Sequence, residues 1–268
     1  MHKHVRHNTK TMKKSFEFGI QTLEFDSWKK FIEHINSNLD HRKFIWRGQG
    51  DSSWLLEPTL DRDIKNIDLK GINKTEIIER HLNRFKYASR GRRGLNPQEM
   101  KDDNDWWALG QHNGLSTPLL DWSKSPFVAA FFAFASSNIN TTDHRIIFGV
   151  ARTDLEMKSE VIKKAHKGKS RPPIIEFIEP LSDENARLVN QGGLFSRSPT
   201  GIDIESWCKE NYKNEKKYIR VWKILLPEDE RTTILQSLNR MNINYSSLFP
   251  DLFGSSNFSN MHLDIKHY

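Results

Sequence analysis

The 268-residue chain predicts one α+β domain. Three observations lead there. Segments with strand and helix patterns interleave irregularly rather than alternating as βαβ units, which disfavours a doubly wound parallel sheet. There is no internal repeat and no Pro-, Gly- or Ser-rich linker to divide the chain. The length suffices for one large core, and 8 Trp with 16 Phe supply large units of buried area.

Taken in order, Phe16, Phe18, Ile20 and Leu23 suggest a short opening strand. Ser27-Trp28 starts a helix whose Trp28, Phe31, Ile32 and Ile35 fall at helical spacing. Residues 36–40 break it, and Lys43–Trp46 reads as the first core strand, followed by Arg47 in a Gly48-Gln49-Gly50 turn. Residues 63–74 are polar and loop-like. Ile78, Leu82 and Phe85 mark an amphipathic helix. Residues 89–105, rich in glycine and charge, read as a connection whose Arg90, Arg92 and Arg93 are solvated or phosphate-facing. Ser125-Pro126 is a helix start, with serine at the N-cap and proline at the first turn. The following FVAAFFAFA is apolar on nearly every face and belongs in the core. Residues 145–150, 174–178 and 219–226 read as strands, 158–171 as a basic exposed segment and 228–238 as a helix. Residues 242–253 close the core, and the chain after Gly254 reads as loosely held.

The net charge of +7 is concentrated at one end. Lys3, Arg6, Lys10, Lys13 and Lys14, with no acid among residues 1–14, carry five of those charges. The rest is nearly balanced, so basicity belongs to a leader that is either a native arm or partly a tag. The leader lacks the apolar segment of a signal peptide. No window approaches the ~20 apolar residues of a membrane span, so no membrane partner is expected. A single cysteine, Cys208, excludes an internal disulfide framework and thiolate-rich metal sites, and suits a reducing, cytoplasmic setting. Gly-rich phosphate loops, dinucleotide-binding G-x-G-x-x-G, His-Glu-x-x-His and G-x-S-x-G patterns are all missing, and no metal is expected.

Three clusters carry chemistry. In FIWRGQGDSSWLLEPTLDR (44–62), an arginine at a strand end beside glycines suits diphosphate or carboxylate recognition. Gln49 adds a neutral donor and acceptor; the structural alternative for Arg47 is an ion pair with Asp51 or Glu57. In QHNGLSTPLLDWS (111–123), Gln111, His112, Ser116, Thr117, Asp121, Trp122 and Ser123 crowd together before the buried helix. There, helix N-terminal amides favour an anion. In NARLVNQGGLF (185–195), Arg187, Asn190 and Gln191 precede a Gly-Gly turn, as a binding loop or a tight turn between strands.

These clusters, in this order and with NINYSSLFPDLFG near the C-terminus, resemble the FRG domain family, named for a Phe/Trp-Arg-Gly motif. The resemblance spans residues 16–255, flanked by the leader (1–15) and a C-terminal tail (256–268). Two positions depart from it: Pro118 replaces a basic residue in TRLLDW, removing an anion contact, and Phe253 replaces the Asp of PDLDG.

The family's layout looks like that of ADP-ribosyltransferases. It implies a mixed, split β-sheet core flanked by helices, with NAD as substrate and a protein or nucleic-acid acceptor. On that comparison Arg47 anchors NAD, Ser116-Thr117 or Asp121-Trp122-Ser123 supplies the middle motif, and Gln191 falls where a catalytic Glu is expected. Trp46 or Trp122 stacks on a base or on nicotinamide. Gly48, Gln49, Gln111, His112 and Arg187 line the pocket, with Glu57, Thr59 and Arg62 behind Arg47.

A glutamine holds a ribose hydroxyl but supplies no negative charge to an oxocarbenium-like transition state. Either another acid acts (Asp121, Glu57 or Asp251) or the chain binds a nucleotide without efficient transfer. The implied activity is therefore that of an ADP-ribosyltransferase or NAD glycohydrolase, as a bacterial toxin or phage-defence effector. The alternatives are a non-catalytic nucleotide or nucleic-acid binding module, using the leader and the basic stretch Lys163 to Arg171, and a protein-interaction domain.

Overall fold

The computed structural model describes residues 13–38, 43–68, 71–97, 99–137, 142–180 and 186–268. The basic leader falls outside them except for its end: residues 13–15 belong to a strand, not to a flexible arm. Strand β1 (Lys13–Glu17) forms a hairpin with β2 (Ile20–Glu24), and their pairing with the sheet holds this end in place.

The chain continues through α1 (Trp28–Asn38), β3 (Phe44–Gln49), α2 (Thr59–Lys65), α3 (Lys74–Ala88), α4 (Asp103–His112), β4 (Leu119–Ser123) and α5 (Pro126–Phe134). Then come β5 (His144–Ala151), α6 (Arg152–Ala165), β6 (Glu176–Ile178), α7 (Ala186–Asn190), β7 (Gly193–Arg197), α8 (Ile204–Asn211) and β8 (Val221–Pro227). Helices α9 (Arg231–Arg240), α10 (Tyr245–Leu248) and α11 (Leu252–Asp264) close it.

The described strands form one mixed sheet, ordered β1-β2-β8-β5-β3-β4-β7-β6, with β2 and β8 parallel and the other pairs antiparallel. Its continuity is uneven. β3 matches β5 from Phe44↔Ala151 to Gln49↔Ile146, and β4 matches β7 along its whole length. Between β3 and β4 only Trp46↔Ser123 pair. The sheet splays there, and backbone groups on both sides must find other partners.

Successive strand residues face opposite sides. Phe44 and Trp46 of β3 join α1, α5, α9, α10 and α11 in one apolar cluster. Ile45 joins Trp122, Phe148 and Val150 in a second, closed by Leu155 of α6 and Trp207 of α8. A third cluster packs α2, α3 and α4 over Leu119 and Phe195.

Several expectations change. Arg47, Gly48 and Gln49 are strand residues, not a turn, because β5 offers partners to all three. Residues 63–65 are helical, with Ile64 turned into the third cluster. The 89–105 connection ends early, where Asp102 caps α4 by accepting from the Asn104 and Asp105 amides. The C-terminal segment is a helix rather than a loose tail. Asp251 caps it, and Met261 and Ile265 are buried in the main core. Helix α5 starts as expected, with Ser125 accepting from the Val128 amide. Among the described residues no helix is long and apolar enough to cross a membrane.

Candidate functional site

A cleft of about 760 Å³ opens along the splay between β3 and β4. β3 contributes Trp46 to Gln49, β4 contributes Asp121 to Ser123, and Ala129 and Phe132 of α5 form one wall. Gln111 and His112 reach it from α4, Arg62 from α2, and Arg187, Leu188 and Gln191 from the α7 turn. The three sequence clusters therefore meet in one cavity.

Arg47 sits at the split. Its Nη1 donates to the Asp121 carbonyl at 2.9 Å, replacing a ladder hydrogen bond that the diverging strands cannot make. The same nitrogen lies 3.7 Å from the Asp121 carboxylate. Its Nε is buried and has no hydrogen-bond partner among the described residues. Burial lowers the guanidinium's pKa; Asp121 opposes this, and the like charge of Arg62 adds to it. The alternative of an ion pair with Asp51 or Glu57 is not realised. Asp51 accepts from the Ser53 amide and hydroxyl and from Thr142, while Glu57 pairs with Lys65 at 2.5 Å.

Asp121 is held from its other side. Thr117 Oγ1 donates to Gln111 Oε1, and Gln111 Nε2 donates to Asp121 Oδ2 at 2.9 Å. Thr117 is fully buried and does not line the cleft, so it orients Gln111 rather than meeting a ligand. Thr59 also stays off the cleft; it accepts from Arg62 Nη2 at 3.2 Å, while Arg62 Nη1 donates to the Glu57 carbonyl at 3.1 Å. Both acceptors are neutral. Arg62 lines the cleft without an ion-pair partner among the described residues.

Arg187 pairs with Asp251 at 2.6 Å and lies over the rings of Phe249 and Phe253. Asp251 also caps α11 by accepting from the Gly254 amide, which with Arg187 lowers its pKa. Of the three acids considered for catalysis, only Asp121 lines the cavity. His112 is held below the usual histidine pKa by burial and then by the positive charge of Arg187, against a weaker opposing pull from Asp251. Near neutral pH its imidazole is therefore uncharged. Gln191 Nε2 donates to the Leu248 carbonyl at 3.2 Å. Gly192 (φ +54°) then turns the chain into β7.

Some roles assigned from sequence do not survive. Trp46 and Trp122 are buried, and the Trp122 indole donates to Ser196 Oγ at 2.7 Å, so neither offers a ring face to a ligand. Ser123 Oγ donates to the Gln191 carbonyl at 2.7 Å and accepts from the Ser125 amide. With Ser125 capping Val128, the chain's own hydroxyls occupy the α5 N-terminus where an anion was expected. Gly48 makes room for a helix, not a ligand: a Cβ there would lie 1.9 Å from the Ala129 carbonyl oxygen. Asn185 falls outside the described residues, and the Asn190 side chain donates to the Ser247 carbonyl. The exposed aromatic residue of the cleft is Trp54, which is not among the residues assigned from sequence. A large ring beside the equally exposed Leu55, in a polar loop, was the available signal.

A family model for the FRG domain matches residues 42–142. The matched stretch supplies β3, α2 to α4, β4 and α5, and hence Arg47, Arg62, Gln111 and Asp121. The α7 turn and the outer strands lie beyond it. No curated protein and no solved structure matches the chain. Among the described residues no group of three or more His, Cys, Asp or Glu is arranged to hold a metal.

Proposed function

We propose that the cleft binds NAD and breaks its nicotinamide–ribose bond, as an ADP-ribosyltransferase or NAD glycohydrolase. The observation that carries this reading is the pair of cations. Arg47 and Arg62 line one cavity close enough for Arg62 to depress the Arg47 pKa. Among the described residues Arg62 has no carboxylate partner, and Arg47 keeps a buried, unpaired Nε. Two such guanidinium groups suit a diphosphate, which accepts from several N–H donors at once.

On this reading the bond from ribose C1′ to the nicotinamide nitrogen breaks, and its electron pair leaves on nicotinamide. The positive charge developing at C1′ and the ring oxygen faces the Asp121 carboxylate, whose position Gln111 fixes. Water or an acceptor hydroxyl attacks C1′, and neutral His112 takes its proton. Gln191, with its Nε2 committed to Leu248, presents Oε1 to a ribose hydroxyl.

A second reading, binding without turnover, is favoured by the neutral residue at position 191 and by the sharing of the Asp121 charge with Arg47. Nucleic-acid binding has less behind it. Lys163, Lys164, Lys167 and Lys169 are exposed, but Arg171 is committed to Glu176 at 2.6 Å.

Nicotinamide release from NAD, measured with a thermal shift on ADP-ribose, tests the proposal. Saturating ligand at ~100 times Kd stabilises by about 2.7 kcal/mol, and Arg47→Ala should lose that shift while remaining folded. A shift without release supports the second reading. The absence of both shift and release refutes nucleotide recognition altogether.

A further inference from the structure

Gln49 is 6% exposed, yet it lines the cleft. Its Nε2 donates to the Leu55 carbonyl at 3.1 Å. A carbonyl only accepts, so this bond fixes which end of the amide is nitrogen. The other end must then be the oxygen, and Gln49 Oε1 is buried with no hydrogen-bond partner among the described residues. Burying an acceptor unpaired is costly, and an apolar side chain would fill an interior strand position without that cost. The Leu55 bond uses only the nitrogen end of the amide and leaves the oxygen without a role in the sheet. A ligand bearing an N–H would satisfy it.

The same hydrogen bond ties Gln49 to the residue that follows Trp54. The loop carrying Trp54 is fixed at both ends. Asp51 accepts from Ser53 and Thr142, and Leu56 is fully buried. Trp54 is presented at the cleft mouth, 54% exposed. A large aromatic surface held in water by an anchored loop offers a stacking face for a planar ring.

We propose that Gln49 and Trp54 form a base-recognition subsite selective for a heterocycle with an amino or carboxamide N–H donor on its edge. Trp54 supplies stacking, and Gln49 Oε1 reads the donor. This rests on the nucleotide reading of the same cleft. Within NAD the shared chemistry occurs twice, in the adenine amino group and in the nicotinamide carboxamide.

Two ligand pairs separate these sources. Calorimetry compares ADP-ribose with its hypoxanthine counterpart, in which a carbonyl replaces the amino group. It also compares NAD with its acetylpyridine analogue on an Asp121→Asn background, to suppress turnover. One pair should differ at least tenfold in Kd, because the wrong partner leaves the buried oxygen unpaired. In Gln49→Met the difference should collapse to within threefold. Trp54→Ala, altering an exposed side chain, should weaken the preferred ligand by roughly tenfold or more.

If ADP-ribose binds but both pairs stay within threefold on protein with Gln49 intact, the subsite is wrong and nucleotide binding stands. Discrimination that persists in Gln49→Met also overturns it. If none of the four ligands binds, both this inference and the nucleotide reading fall. The ligand comparison needs no change at Gln49, so a folding defect in Gln49→Met cannot obscure the result.

Discussion

Replacing Gly48 by alanine isolates what the glycine of the Arg-Gly pair is for. A Cβ at position 48 would lie 1.9 Å from the Ala129 carbonyl oxygen and 2.6 Å from the Ala133 amide nitrogen. Both obstacles are helix backbone, so no rotamer change relieves them. Helix α5 must retreat by more than about 1 Å to reach tolerable contact. It has no free side to move toward: Ala130, Phe131, Ala133 and Phe134 are fully buried, and Phe131 meets Tyr245 edge-on at 5.0 Å. Overpacking a well-filled core costs typically about 1–3 kcal/mol, and a rigid backbone obstacle places this case at the upper end. In a chain of this size, about 3 kcal/mol lowers Tm by roughly 6–12 °C. Thermal and urea unfolding measure it directly. A Gly48→Ala protein melting within 2 °C of the parent would refute the packing argument and return Gly48 to the role of ligand-facing glycine.

Other expectations concern the cleft itself. Asp121→Asn should cut nicotinamide release by roughly 100-fold or more. Melting should change little, because the Asp121 carboxylate is exposed and its 3.7 Å pair with the part-buried Arg47 is worth at most about 1 kcal/mol; release within threefold of the parent would exclude Asp121 as the charged group. Arg47→Lys keeps the charge but loses the fork that reaches the Asp121 carbonyl and the ligand together, so ADP-ribose affinity should fall at least about tenfold. Calorimetry showing retained affinity would mean that charge alone suffices. His112 titrates lower folded than unfolded, so the unfolded chain binds its proton first as pH falls. Its contribution to stability is present above the unfolded value of ~6.5 and is lost as pH drops through the folded value. His112→Gln should therefore lose less stability than the parent between pH 7 and pH 5, and equal losses in parallel melts would contradict the assignment.

The local devices that position the site were readable from sequence. Ser125-Pro126 announced α5 because capping chemistry is local, and the run ending at Trp46 announced β3 because apolar strand patterning is local. Residues of the three polar clusters line one cavity. What escaped depends on distant partners. Helix α4 opens on DNDWW, where acids hide the apolar rhythm and the N-cap at Asp102 is the stronger sign. Helix α11 is built from Ser, Asn and Gly, poor helix formers, and exists because Met261 and Ile265 find the main core. Gly48 looked like a ligand glycine because nothing nearby reveals that Ala129, eighty-one positions later, lies against it. The two tryptophans of the motifs looked like stacking platforms because both readings require a large ring. Burial alone separates Trp46 and Trp122 from Trp54.

The split between β3 and β4 explains why the chemistry gathers where it does. A continuous ladder would consume the Asp121 carbonyl and leave no gap for a ligand. With one residue pair joining the strands, that carbonyl becomes an acceptor for Arg47. The guanidinium thus serves as a sheet linkage and a cleft cation at once. Because Nη1 is spent on the backbone, the charge is held at a fixed place with Nε still unpaired. A flexible surface arginine would lose rotamer entropy on gripping an anion, whereas this one has lost much of it in folding. The same logic fixes the carboxylate. Thr117, buried beneath the cleft, sets Gln111, and Gln111 sets Asp121. Cation and anion are both positioned from below, so the ligand meets a site whose ordering cost was met when the sheet formed.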